Sequence, residues 1–350
     1  MDRIIAHLDM DCFFCQCEIK RKPELAEKAV IVGSTGERGV VSAANYEARR
    51  FGVYSATPIS RARMLCPNGV FLPVDKRLYS EESSNIMENL ALVVDEMEQV
   101  SIDEAYLDIT TLASEKGSME EAAGYLQSIV RDASGMSCSV GVSNSRTVSK
   151  IASDYRKPGG ITVVRDAKEF LKELDIGKIP GIGKVTKQRF VAKNINTIGE
   201  LAKMDKFRLM DDFGMHGVAL QNVARGLDRT GLSRRDKAKS YSREDTFYED
   251  VSSYSVLMDN LMAIAERVVK DLSHYYFRTV SIKIRYSDFR TITRDYSFKT
   301  PQNSIEAVRN SSKELFEIHY ERGKSVRLIG IKLSNITGGR EKQLTLSRFF

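Results

Sequence analysis

Short runs of branched and aromatic residues alternate along this chain with longer stretches in which apolar residues recur every three or four positions. The short runs predict strands at residues 3–9, "RIIAHLD", and at "AVIVG" and "GVVSAA" on either side of "STGER". Further strands are predicted at 98–110, "EQVSIDEAYLDIT", at 137–143, "SCSVGVS", and at "VRLIGIKL". The periodic stretches predict helices over "NYEARRFG" and "PISRARMLC", and over 79–95, 120–133, 145–154, 254–275 and 303–321. A hairpin is expected around "RTVSIKIRYSDFRTITRDYSFK". In the first 165 residues the order strand, helix, strands, helix, strand predicts an α+β sandwich, with helices on one face of a mostly antiparallel sheet. The segment 24–73 reads as a small subdomain inserted into it. From about residue 166 the texture changes to short helices separated by Gly. Residues 231–243, "GLSRRDKAKSYSR", have no apolar periodicity and read as a basic linker.

One predicted strand is anomalous. Val100, Ile102, Tyr106, Leu107 and Ile109 belong in a buried strand, yet Asp103 and Glu104 sit side by side in its middle. Burying unpaired carboxylates costs several kcal/mol each unless a positive partner stands beside them. Asp9, at the end of the first apolar run, is a third such position. Carboxylates at two strand ends, with no His or Cys among them, suit Mg²⁺ better than Zn²⁺. Two such ions roughly 3.5–4 Å apart can stabilise the attacking and leaving oxygens of a phosphoryl displacement. Neighbouring strand residues face opposite ways, so Asp103 and Glu104 share a site only if the strand bends or ends there. For that pair alone, exposed turn carboxylates are the alternative. For Asp11 and Asp108 the expectation is simple solvation or capping.

Composition narrows the picture. Hydrophobic residues make up 42% of the 350 and charged residues 29%, as in an ordinary soluble globular protein, and no apolar run is long enough to span a bilayer. The opening "MDRIIAHLDMDCFF" does not read as a signal peptide, and five cysteines without framework spacing suit a reducing cytoplasm. The formal net charge is +6, and it lies wholly in the last third: residues 231–350 hold 22 Lys and Arg against 15 Asp and Glu. That is a candidate footprint for a polyanion such as nucleic acid. Cys12, Cys15 and Cys17 lack the further Cys or His that zinc requires, so packing is their expected role. "GSTGERG" lacks the GK[ST] ending of a P-loop and reads as a hairpin turn.

Taken in order, "LDMDCFF", "NYEARRFG", "SIDEAYLD", "SVGVSNSRTVSKIAS" and "KPGG" closely resemble the Y-family, or translesion, DNA polymerases of the archaeal and bacterial DNA polymerase IV type. The resemblance covers essentially the whole chain. It implies an α+β right-hand architecture: a ferredoxin-like palm (1–10 and 76–165), small inserted fingers (11–75), a helical helix-hairpin-helix thumb (166–231), the basic linker (232–243), a separate βαββαβ little finger (244–341) and a clamp-binding tail (342–350). It also implies that Asp9 and Asp103 bridge two Mg²⁺ ions, that Glu104 holds the catalytic one and that the backbone carbonyl of Met10 completes the other's shell. Phe14 matches the family's steric-gate position, where a ring under the sugar excludes a 2′-hydroxyl. Phe13 stands beside it at the substrate pocket, with core packing as its alternative. Tyr46 and Arg49, one helical turn apart, would grip the triphosphate together with Lys157, and Ser42 would roof the incoming base. Arg50 is expected at the surface.

"IPGIGK" has the pattern of a helix-hairpin-helix, so Gly181, Gly183, Lys184 and Lys187 would hold DNA phosphates without reading sequence. "FGMHGVALQNVARG" reads as a second, degenerate copy. In the last third, Arg278, Lys283, Arg285, Arg290 and Arg294 alternate with apolar residues, which could line several up on one face. Gln343, Leu346, Phe349 and Phe350 resemble the peptide that binds ring-shaped sliding clamps of the PCNA type. The expectation is therefore a monomeric cytoplasmic enzyme, free of membranes. It adds deoxynucleotides to a primer on template DNA, past lesions, recruited by a clamp. A non-catalytic DNA- and clamp-binding scaffold is the alternative, and other palm-type nucleotidyl transferases or cyclases are a third.

Overall fold

Chain order in the first part of the molecule is β1 (Ile5–Met10), α1 (Phe13–Arg21), β2 (Val30–Gly33), β3 (Val41–Ala44), α2 (Tyr46–Arg49), α3 (Ile59–Leu65), β4 (Val70–Pro73), α4 (Lys76–Ala91), β5 (Glu96–Gln99), β6 (Glu104–Asp108), α5 (Thr110–Lys116), α6 (Met119–Ser134), β7 (Cys138–Ser143), α7 (Arg146–Ser153) and β8 (Ile161–Val163). The computed structural model describes residues 3–34, 36–228, 231–232, 238–272 and 275–338. The chain divides into two compact units, the second comprising the chain after about residue 235 together with the short segments 34–40 and 58–61.

In the first unit, five strands form a sheet in the order β5-β6-β1-β7-β8, antiparallel except for the β7–β8 pair. Pleat alternation makes one face apolar: Ala6, Leu8 and Met10 of β1, Ala105 and Leu107 of β6, and Val140 and Val142 of β7 are all buried. The opposite face carries His7 and Asp9, opposed in register by Tyr106 and Glu104 on one side and by Gly141 and Ser139 on the other. The sequence predicted helices on one face only. The structure corrects this: α7 packs on the polar face, where Lys150 and Ser153 meet His7 and Ser149 Oγ donates to the Ile5 carbonyl at 2.7 Å. Gly141 makes that approach possible. A Cβ there would lie 2.1 Å from the Ser149 carbonyl oxygen and 2.3 Å from the Ser153 nitrogen.

A second sheet, β3-β2-β4, lies within the 24–73 segment expected to be an inserted subdomain, and β2 and β3 pair antiparallel on either side of "GSTGERG". The helical part follows, with α8 (Ala167–Leu171), α9 (Lys184–Val191), α10 (Ile198–Lys203) and α11 (Lys206–Ala224) closed round Ile176, Phe190, Leu201 and Leu209. All five cysteines are free thiols, with only Cys12 partly exposed. Burial pushes Cys12 up to about 11 and also raises the thiols of Cys15, Cys17 and Cys138.

The second unit holds β9 (Ser240–Val251), α12 (Tyr254–Asp271), β10 (Phe277–Tyr286), β11 (Thr291–Gln302), α13 (Ile305–His319) and β12 (Val326–Ser334). Its sheet runs β11-β10-β12-β9 with every neighbour antiparallel. Leu257, Leu261 and Ile264 of α12 and Phe316 of α13 pack on Val280, Ile282, Ile284 and Tyr286. The basic linker is shorter than expected. Residues 240–243 already belong to β9, because Tyr241 and Arg243 alternate into the ladder opposite Leu333 and Ile331. Residues 233–237 of that linker and the whole 342–350 tail lie outside the described residues. Among the described residues, no helix is long and apolar enough to cross a membrane.

The close approach at Gly141 generates a prediction. Gly141→Ala should cost about 3 kcal/mol, the upper end for an overpacked core site, because backbone rather than a movable side chain blocks the methyl group. Urea unfolding is the measurement, and a loss under about 0.5 kcal/mol would show that α7 can shift freely.

Candidate active site

The anomalous strand at 98–110 is two strands. Gln99 of β5 pairs with Ala105 of β6, so residues 100–104 turn a hairpin and Asp103 sits in the turn, just before β6 begins at Glu104. Ser101 stabilises the turn. Its hydroxyl donates to Asp103 Oδ1 at 2.5 Å and accepts the Glu104 amide at 3.0 Å. The apolar residues around the pair suggested one continuous strand, and local side-chain hydrogen bonding won instead.

The hairpin brings the carboxylates to the end of β1. Asp9 is the direct cross-strand partner of Glu104, so both side chains leave the same face. The Met10 amide donates to the Asp103 carbonyl at 2.9 Å, which locks the turn to the strand end. The Met10 side chain points the other way, into the core. Two lysines answer the acidic charge. Lys157 Nζ lies 2.6 Å from Asp9 and 3.1 Å from Asp154, and Lys150 Nζ lies 2.5 Å from Glu104. The fully buried His7 stands under Glu104 at 3.6 Å and meets Ser153 Oγ at 2.8 Å.

These surroundings separate the two carboxyls. Burial pushes Asp9 up to about 6, against the pull of Lys157. Burial also works on Glu104, but contact with His7 and the Lys150 ammonium outweighs it and holds that carboxyl at about 2. With Asp9 and Glu104 each turned to a lysine and Asp103 to the Ser101 hydroxyl, the three carboxylates occupy adjacent positions without closing round one point. Among the described residues, no three His, Cys, Asp or Glu side chains do so.

Phe14, one residue into α1, stacks on Tyr79 of α4 with ring centroids 4.3 Å apart and planes at 13°. The Tyr79 hydroxyl donates to Glu18 Oε1 at 2.7 Å, and Glu18 is fully buried and also paired with Arg21. Phe13 is 2% exposed, which fits packing rather than the pocket. Asn45 caps α2 by accepting the Ala48 amide, and α2 then presents Tyr46 and Arg49 on one face, the guanidinium 4.5 Å from the ring centroid. Ser42 is exposed on β3, and Arg50 is exposed and paired with Glu47.

Asp11 overturns its expectation. It is not solvated but 1% exposed, and it accepts from Ser137 Oγ at 2.9 Å, Ser139 Oγ at 2.8 Å and the Gly159 amide at 2.8 Å. Asp108 does cap, taking the amide and hydroxyl of Thr110 at the start of α5, and it also pairs with Arg3. Sequence reasoning missed His7, Lys150, Tyr79 and the role of Asp11. For Asp11 a signal existed in the spacing of "SCS", which aims two hydroxyls the same way.

In the helical part, Gly181 has φ 91° and Gly183 is the N-cap of α9, which starts at Lys184. Lys187 is tied to Asp175 at 2.8 Å. The segment expected to be a second copy holds two helices meeting at a kink at Gly214, φ 63°. In the second unit the five basic residues do not share one face. Lys283 and Arg285 leave the face away from the helices, whereas Arg294 pairs with Ile282 and so faces the other way. Arg290 sits in the turn beside Glu321, and Arg278 lies at a strand irregularity. Lys332, opposite Ser281, joins Lys283 and Arg285 and was not anticipated.

Comparison with known proteins gives concordant matches. The model of the impB/mucB/samB family matches residues 8–154, its C-terminal domain matches 238–346, and a DNA polymerase-iota thumb domain matches 177–228. The chain is 42% identical to a DNA polymerase IV of Methanoculleus marisnigri, over 99% of this chain and 98% of that one. It is 35% identical to a DNA polymerase IV of Staphylococcus aureus, over 99% of both. Among solved structures it is similar to a Y-family DNA polymerase chimera of Dbh and Dpo4, with TM-score 0.86 and 27% identity over 96% of this chain and all of that one. An insertion ternary complex of Dbh DNA polymerase matches over the same shares with TM-score 0.68 and 27% identity.

Proposed function

The chain belongs to the impB/mucB/samB family, the Y-family DNA polymerases, and we propose that it is a template-directed DNA polymerase that adds deoxynucleotides to a primer 3′ end and works past lesions. The observation that carries this reading is the pairing of Asp9 with Glu104 across β1 and β6, with Asp103 in the adjoining turn. Two carboxylates facing each other on one sheet repel, and a lysine neutralises each of the two. The oxygen-only donor set fits divalent metal, and Mg²⁺ in particular. Asp9, Asp103, Glu104 and the Met10 carbonyl would hold two ions, which would supply Lewis-acid stabilisation to the phosphoryl oxygens and lower the pKa of the attacking hydroxyl.

Apart from that of Lys332, the remaining roles are those the resemblance implies. Tyr46, Arg49 and Lys157 would hold the triphosphate. Phe14, fixed from behind by Tyr79, would exclude a 2′-hydroxyl, with Ser42 over the base. The Gly181–Lys184 turn, Lys187 and the Lys283, Arg285 and Lys332 face would hold DNA backbone. Palm, fingers, thumb and little finger would keep the ranges given by the sequence, with the linker ending at residue 239. The 341–350 tail would recruit a monomeric enzyme to a PCNA-type sliding clamp.

Primer extension tests the central reading. Glu104→Ala and Asp103→Asn should each abolish nucleotide addition with Mg²⁺ while primer-template binding and thermal melting stay close to wild type. Near-normal extension by either variant would overturn the assignment.

Phe14→Ala should raise ribonucleotide incorporation strongly with a smaller effect on deoxynucleotides. Direct competition of the two on one template is the measurement, and an unchanged ratio would leave Phe14 a packing residue.

A 341–350 peptide should bind a PCNA-type clamp, and Phe349→Ala/Phe350→Ala should leave distributive synthesis intact while removing clamp stimulation. Each fully buried Phe contributes about 1.5–3 kcal/mol, so losing both should weaken binding by roughly two orders of magnitude or more. Calorimetric titration reads this, and full clamp stimulation of the double variant would exclude the tail as the recruiting element.

A further inference from the structure

We propose that Asp11 is a positioning residue for the triphosphate: its buried carboxylate holds the Lys157–Gly160 turn and the Tyr46 hydroxyl in one fixed relation. This rests on the polymerase reading given above. The motif containing Asp11 also contains Asp9, but the two acids have unlike surroundings. Asp9 faces the Lys157 ammonium and is partly exposed. Asp11 lies past the end of β1, is 1% exposed, and takes its hydrogen bonds from hydroxyls and a backbone amide.

Its donors come from three separate segments. Ser137 and Ser139 fix the carboxylate to the start of β7. The Gly159 amide reaches it from the "KPGG" turn. Tyr46 Oη approaches from α2 at 3.4 Å, the longest of the four contacts. Tyr46 itself lies under the Arg49 guanidinium. All three residues expected to hold phosphate oxygens therefore connect to this one buried group.

The turn has little freedom of its own to correct an error. Gly159 is left-handed, with φ 69°, and a Cβ on Gly160 would sit 1.9 Å from the Arg156 carbonyl oxygen. Gln127 Nε2 donates to the Gly159 carbonyl at 3.0 Å, so the Gly159 peptide groups are gripped from both sides. Lys157 leaves this turn and reaches Asp9. The amide-to-Asp11 bond thus sets where the ammonium stands. A buried carboxylate is expensive unless its acceptor positions are filled. Asparagine in its place would present N–H groups to donors, and the Gly159 amide would lose its acceptor or the side chain would turn away.

Steady-state single-nucleotide insertion tests the proposal. Asp11→Asn should raise KM for the deoxynucleotide by roughly tenfold or more while kcat changes much less, since misplacement of a binding arm weakens the grip before it alters the chemistry. A merely structural carboxylate would lower the melting temperature and leave KM in place. Because the Asn variant acts through Lys157, its effect on KM should shrink in a Lys157→Ala background. If Asp11→Asn does not fold, Ser137→Ala/Ser139→Ala removes two donors without a change of charge, and KM should rise in the same direction by a smaller factor. An unchanged KM in a folded variant, or an Asp11→Asn effect undiminished in the Lys157→Ala background, would overturn the proposal. A wild-type chain that extends no primer would instead overturn the polymerase reading itself.

Discussion

Like charges on one face of a sheet repel, and much of the first unit can be understood as the accommodation of Asp9 facing Glu104 across two antiparallel strands. The rest of the sheet makes that placement unavoidable: with Leu8, Ala105, Leu107 and Val140 committed to the buried face, the pleat sends Asp9 and Glu104 together to the other. Compensation must then come from elements laid over the polar face. The helix α7 brings Lys150, and the turn after it brings Lys157. The glycine at 141 lets α7 lie close enough to do so. The polar face is therefore held by hydrogen bonds and ion pairs, while the opposite face is held by apolar packing.

The same division explains what was legible in the sequence. Strands and helices whose faces are cleanly apolar, such as β1, β7, α6, α12 and β12, were placed close to their observed positions, because burial alone determines them. Asp103 and Glu104 were recognised as misfits, yet the run 98–110 was read as one strand. The turn at 100–104 has no Gly, Pro or Asn to announce it, and what makes it is Ser101 bonding to backbone and side chain nearby. The strand at 240–243 was hidden for a related reason. Its alternation is carried by Tyr241 and Arg243, and a basic composition masks a period of two.

The site residues divide in the same way. Asp9, Glu104, Tyr46, Arg49 and Lys157 carry charge or a polar tip in a recognisable motif. His7 meets Glu104, Asp11 meets Tyr46 and Tyr79 meets Phe14 from behind, and their other partners lie far away in the chain: Ser153 for His7, Glu18 for Tyr79, and Ser137, Ser139 and Gly159 for Asp11. Linear spacing carries almost no information about contacts of that kind. The family resemblance reached the residues of the first group, and only the folded chain supplies the second.

The thiols bear on where such an enzyme can work. Agents that damage DNA, whether oxidants or alkylators, also attack cysteine, and they attack the thiolate in preference to the thiol. Four of the five cysteines are shielded from solvent, and Cys12, the partly exposed one, holds its proton up to about pH 11. Cys12 lies between Asp11 and Phe13, so an adduct there would fall beside the buried Asp11 carboxylate. A chain arranged this way keeps four thiols out of solvent and the fifth protonated, so the agents that damage templates would find few thiolates to attack.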